Sequence, residues 1–267
     1  MHIQPVLTGM VRALVIVLGT LGATACSVAH PESFTLITEL PPGFSFKGEA
    51  TYVPRTGETC TVPPREGKHF PGLKFFEQAF NKDAQTASFT VPLTDEAGGC
   101  PLVLRSFEYN LQGSYGPKPA NIGGDYASLS FHDQLPEGAA AFPSTGTQTL
   151  ENQCQWLFRT MGPYRYIVKI LKCRAASENG QMLDAMAGGA LARGALPGKT
   201  VNMVFALSDK EKPFYKGWWI ETPKGWKACT GLWGTPNEEL CKAPYQFIES
   251  FKMPDGRDCS VYPNCTE

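Results

Sequence analysis

No stretch of this chain reaches the roughly 20 consecutive apolar residues that a membrane-spanning helix needs. Its compact apolar run, residues 13–18, is far shorter. Histidine is scarce, with four in 267 residues. His30, His69 and His132 stand apart, and neither H-E-x-x-H nor C-x2-C spacing occurs, so the sequence offers no local zinc site. A nucleophile elbow G-x-S-x-G is missing. Ser45-Phe46-Lys47 and Ser208-Asp209-Lys210 have the wrong spacing for serine–lysine chemistry. No phosphate-binding loop is present, and Gly123-Gly124-Asp125 and Gly188-Gly189-Ala190 read as turns. No cofactor is expected. Neither charge is in surplus: 24 basic residues face 25 acidic ones, which gives no basic footprint for nucleic acid.

The chain has 27 glycines and 22 prolines, spread throughout, which suits short strands and many turns. Apolar residues alternate with polar ones around Ala87–Leu93, Val103–Leu111, Ala127–Phe131 and Val201–Leu207. Period two with one apolar face marks half-buried strands. The runs 155–160 and 165–171 flank Met161-Gly162-Pro163-Tyr164 and read as a hairpin. Two segments depart from this pattern. Residues 72–82 read as a short helix, and residues 181–187 as a helical turn within a glycine-rich insertion. The expected fold is mainly β: a disulfide-stapled antiparallel β-sandwich of Ig-like or prealbumin-like packing, with short helical insertions. A sandwich domain is expected over residues 34–210, and a Cys/Trp-rich C-terminal region over 211–267, as an extension or as part of the same domain.

The first 25 residues have the layout of an export signal: Arg12, then the apolar run, then small residues. They end in Leu21-Gly22-Ala23-Thr24-Ala25-Cys26, which resembles the lipobox of bacterial lipoproteins. Ala23-Thr24-Ala25 also fits ordinary signal cleavage. The resemblance implies acylation of Cys26 and a short tether over residues 26–33. It also implies a lipid-bilayer partner, in the outer membrane facing the periplasm, because Ser27 rather than Asp follows the cysteine. Two or more acyl chains anchor stably. Cysteine parity agrees. Of nine cysteines, setting Cys26 aside leaves Cys60, Cys100, Cys154, Cys173, Cys229, Cys241, Cys259 and Cys265. Eight cysteines allow 105 connectivities. The hairpin brings Cys154 and Cys173 together, and sequential pairing of the others is the simplest scheme.

The least generic feature is an aromatic run holding Phe214, Tyr215, Trp218, Trp219, Trp226 and Trp233, interleaved with Lys212, Lys216, Lys224 and Lys227. Tyrosine and tryptophan are enriched at interface hot spots. Tyr215, Trp218, Trp219, Trp226 and Trp233 are therefore the candidate partner-binding residues, although such rings also build cores. Adjacent Trp218 and Trp219 face opposite ways if extended, so one should lie outside any shared core. The lysines favour an acidic partner patch. Glu108, Asp125 and Glu221 are the carboxylates nearest aromatic-rich segments. Taken together, these features lead to the expectation of a non-enzymatic protein-binding or inhibitory module of the envelope. Its general build is similar to that of periplasmic immunity proteins. The alternatives are a structural or peptidoglycan-binding lipoprotein and an envelope hydrolase with a dispersed carboxylate site.

Overall fold

The structure, a computed structural model, describes residues 1–2, 32–177, 179–229, 241 and 249–265. The chain divides into two units, Met1–His30 and Pro31–Glu267, and the fold below belongs to the second. Cys26 lies outside the described residues, as do Trp233 and most of residues 1–31.

The described residues form seventeen strands and two single 3₁₀ turns, Arg193–Ala195 and Lys216–Trp218. In chain order the strands are β1 (Ser33–Leu40), β2 (Phe44–Pro54), β3 (Leu73–Gln78), β4 (Gln85–Pro92), β5 (Thr94–Ala97) and β6 (Cys100–Ser114). Next come β7 (Ile122–His132), β8 (Thr147–Met161), β9 (Tyr166–Ala176), β10 (Met182–Met186), β11 (Gly188–Ala192) and β12 (Thr200–Leu207). The last are β13 (Lys212–Pro213), β14 (Trp219–Thr222), β15 (Gly225–Ala228), β16 (Phe251–Lys252) and β17 (Asp258–Cys259). The larger sheet runs β17-β16-β9-β8-β12-β1-β4, with β10 on β9 and β13 on β8. The smaller runs β11-β7-β6-β2-β3, with β5 on β6, and β14–β15 form a separate ribbon. Three strands of the tail, β13, β16 and β17, thus belong to the larger sheet.

The mainly β, disulfide-stapled architecture is as expected. The pairing is not purely antiparallel. β12 runs parallel to both β1 and β8, and β11 runs parallel to β7. Parallel neighbours need a crossover, and here the chain makes it by passing between sheets. For example, β4 in the larger sheet continues through Leu93 into β5 of the smaller.

Both sheets contribute to one apolar cluster. Phe34 of β1 meets Phe131 of β7 at 5.7 Å between ring centroids, Phe44 of β2 meets Trp156 of β8 at 6.3 Å, and Tyr109 of β6 meets Phe205 of β12 at 5.9 Å. Burying each such side chain is worth roughly 1.5–3 kcal/mol. Four disulfides staple the fold: Cys60–Cys100, Cys154–Cys173, Cys229–Cys241 and Cys259–Cys265. All are sequential, and Cys154 and Cys173 are direct register partners across β8 and β9.

Two expected helices are strands. The segment read as a helix over residues 72–82 holds β3, which pairs antiparallel with β2. The open edge of β2 offers a full hydrogen-bond ladder, and Phe76 packs inward on Phe107 at 5.4 Å. A short isolated helix has no comparable gain. The segment read as a helical turn over residues 181–187 holds β10, paired with β9. Gly188–Gly189 and Gly123–Gly124, read as turns, lie inside β11 and β7. Gly188 has φ +111°, and a Cβ there would sit 2.2 Å from the Ser128 carbonyl oxygen. The glycine-rich insertion is therefore what lets a parallel strand approach β7 closely.

Candidate binding site

Asn152, Cys154, Trp156 and Phe158 alternate along β8 and so share one face of the larger sheet. Cys154 and Trp156 belong to the main core beneath the smaller sheet. Phe158 lies further along and belongs to a second cluster with Ile167, Trp219, Phe251 and Tyr262. The tail therefore covers the part of this face that the smaller sheet does not reach. Phe158 is its centre: Tyr262 lies 4.2 Å away, Trp219 4.8 Å and Trp226 6.2 Å between centroids.

Beside this cluster opens a cleft of about 670 Å³. Phe158, Trp226 and Tyr262 form its aromatic wall, and Lys210, Lys212, Lys216, Asp209, Glu211 and Glu221 its polar lining. β13 brings Lys212 there by pairing parallel with β8, Lys212 opposite Leu157 and Pro213 opposite Phe158. Glu211 is committed internally. It accepts a bond from Lys169 Nζ at 2.6 Å and another from the Tyr262 hydroxyl. Burial, followed by the Glu211 charge and hydrogen bond, pushes the Tyr262 phenol far above its usual pKa, so Tyr262 stays a neutral donor. Among the described residues, Lys210, Lys212 and Lys216 make no ion pair, so three cations face the two uncommitted carboxylates Asp209 and Glu221. The cleft pairs a ring wall with a weakly cationic rim.

The candidate residues fall in different places. Trp226 lines the cleft. Tyr215 and Trp218 lie against each other with ring centroids 5.4 Å apart and planes tilted by 34°, half-buried, outside the cleft. Trp219, expected at a partner surface, is instead 6 % exposed, edge-on to Phe158 and 5.5 Å from Phe251, so its ring serves the packing of the second core. Its neighbour Trp218, half-buried, packs against the same second cluster, so the two rings share one core rather than facing apart. No family model, curated protein or solved structure matches this chain. The site therefore rests on its own chemistry.

The three candidate carboxylates do not converge. Glu108 is on the outer face of β6, while Asp125 on β7 turns inward to accept the Cys173 amide at 2.7 Å. Glu221 lines the cleft. His132 meets the Ser130 hydroxyl at 3.0 Å, and His69 sits in a loop bridged to Glu66. Sequence reasoning missed Phe158, Lys169, Glu211 and Tyr262. Two were within reach: the hairpin through Cys154 and Cys173 makes Phe158 and Lys169 cross-strand partners on the same face. Tyr262 has no local signal, because it arrives from the far end of the chain.

Proposed function

We propose that this chain is an exported lipoprotein, anchored through acylated Cys26 in the outer membrane. There it would act as a non-enzymatic binding or inhibitory module, with the immunity of a cell against a periplasm-directed toxin as its role. We read the two facing sheets as a sandwich scaffold whose tail presents the binding site. The supporting observation is the cleft, where Trp226, Phe158 and Tyr262 stand beside Lys210, Lys212 and Lys216, which make no ion pair among the described residues. Rings supply contact area at low entropic cost, while exposed lysines steer an oppositely charged partner. The reading is therefore capture of an acidic, aromatic-bearing segment of a protein partner.

One experiment tests anchor and site together, using labelled palmitate and recovery of the partner from solubilised envelope. Wild type carries the label and retains the partner. Cys26→Ser loses the label, leaves the membrane fraction and still binds. The pair Lys212→Glu/Lys216→Glu keeps the label and loses the partner at least tenfold. An unlabelled wild type overturns the anchor, and undiminished recovery by the lysine variant overturns the cleft.

A further inference from the structure

The outer face of the smaller sheet carries two facing carboxylates among exposed apolar side chains, in a groove that shares no lining residue with the cleft. In antiparallel register, Glu49 of β2 lies directly opposite Glu108 of β6, and Phe75 of β3 lies opposite Glu49 on its other side. Like charges directly opposite in a sheet destabilise it. Neither carboxylate makes an ion pair among the described residues, and the one cation lining the same groove is Lys47. Lys47, two positions along β2 on the same face, is engaged by Glu77 at 3.3 Å. Around the carboxylates three large apolar side chains stand in solvent: Phe75 at 58 % exposure, Tyr126 at 72 % and Met186 at 59 %. Together they line a groove of about 550 Å³.

We propose that this groove docks an arginine-bearing segment of a protein partner. Charge complementarity selects a cation, because only a cation offsets both carboxylates. The exposed rings select one that stacks. A guanidinium is planar, binds carboxylates with two parallel hydrogen bonds, and lies on aromatic faces. An ammonium does the first less well and is more strongly hydrated. The unrelieved Glu49–Glu108 pair is then a feature of the free protein that binding discharges.

The test is titration of the full chain with hexa-arginine, hexa-lysine and a neutral hexasaccharide, followed by calorimetry and tyrosine fluorescence. Hexa-arginine should bind at least threefold more tightly than hexa-lysine. Glu49→Gln/Glu108→Gln should weaken it at least tenfold while raising the melting temperature, because the repulsion is gone. Phe75→Ala/Tyr126→Ala should weaken it about fivefold and remove the preference for arginine over lysine. Lys212→Glu/Lys216→Glu, in the separate cleft, should not weaken it. The proposal is overturned by no hexa-arginine binding, by equal binding to the glutamine variant, or by binding of the neutral sugar alone.

Discussion

At Gly225 the backbone takes φ +132°, and a Cβ there would lie 2.2 Å from the carbonyl oxygen of Tyr262. Two short bonds cross this contact: the Trp226 amide donates to Tyr262 O, and the Tyr262 amide to Trp226 O, both at 2.8 Å. One residue without a side chain thus lets the β14–β15 ribbon lie against the segment that closes the second core and lines the cleft. Gly225→Ala adds both strain and a clash. Strain costs about 1–3 kcal/mol and each lost bond about 1, so a loss of at least 2 kcal/mol is expected. For a domain of this size that lowers the melting temperature by about 4–8 °C. Trp226 emission should shift red as the ribbon lifts. Gly217 has open space around it, and Gly217→Ala should leave the melting temperature within about 1 °C. Equal melting temperatures for the two variants would mean that the Tyr262 contact does not hold the tail.

The disulfides act at the scale of elements, and their spacing ranks them. Cys60–Cys100 closes a loop with a sequence separation of 40 and ties the segment between β2 and β3 to the start of β6. Cys259–Cys265 spans only 6. Chain entropy assigns the longer loop about 4 kcal/mol and the shorter about 2. Urea unfolding should show Cys60→Ala/Cys100→Ala losing roughly twice what Cys259→Ala/Cys265→Ala loses. The reverse order would place the tail's closure above loop entropy as the source of stability. The same scale shows what the sequence disclosed. Strands with their own alternation, such as β6, β7 and β12, were legible because burial on one face writes period two into the residues. So was the β8–β9 hairpin, with its Gly-Pro turn and paired cysteines. β3 and β10 were not, because their strand character comes from an open edge supplied by β2 and β9, and nothing in Leu73–Gln78 or Met182–Met186 encodes that edge. The parallel pairings were hidden for the same reason. At the cleft, the lysines and Trp226 showed in the composition of the aromatic run, whereas Tyr262 and Phe158 meet only through tertiary packing.

At the scale of the whole fold, three tyrosines among the described residues are buried with a carboxylate nearby. Tyr52 and Tyr109 lie in the main core and Tyr262 in the second, with exposures of 2 %, 4 % and 1 %. Burial raises the phenol pKa of each, and a nearby carboxylate raises it further: Asp95 at Tyr52, Asp125 at Tyr109 and Glu211 at Tyr262. An unfolded tyrosine titrates near pH 10. Below that pH both states hold the proton, and these groups add no pH dependence. Above it the unfolded chain releases three protons that the folded chain retains, so unfolding is favoured as pH rises. The slope reaches about 4 kcal/mol per pH unit while all three stay protonated in the fold. Phenolate absorbance on rapid alkaline jumps should therefore lag for a subset of the nine tyrosines. That subset should then appear together with the loss of β-sheet circular dichroism. Tyr52→Phe/Tyr109→Phe/Tyr262→Phe removes the proton release and should flatten stability above pH 10, even though Tyr262→Phe forfeits the bond to Glu211. An unchanged alkaline slope in that variant would show that general charge repulsion, rather than the three buried phenols, unfolds the molecule.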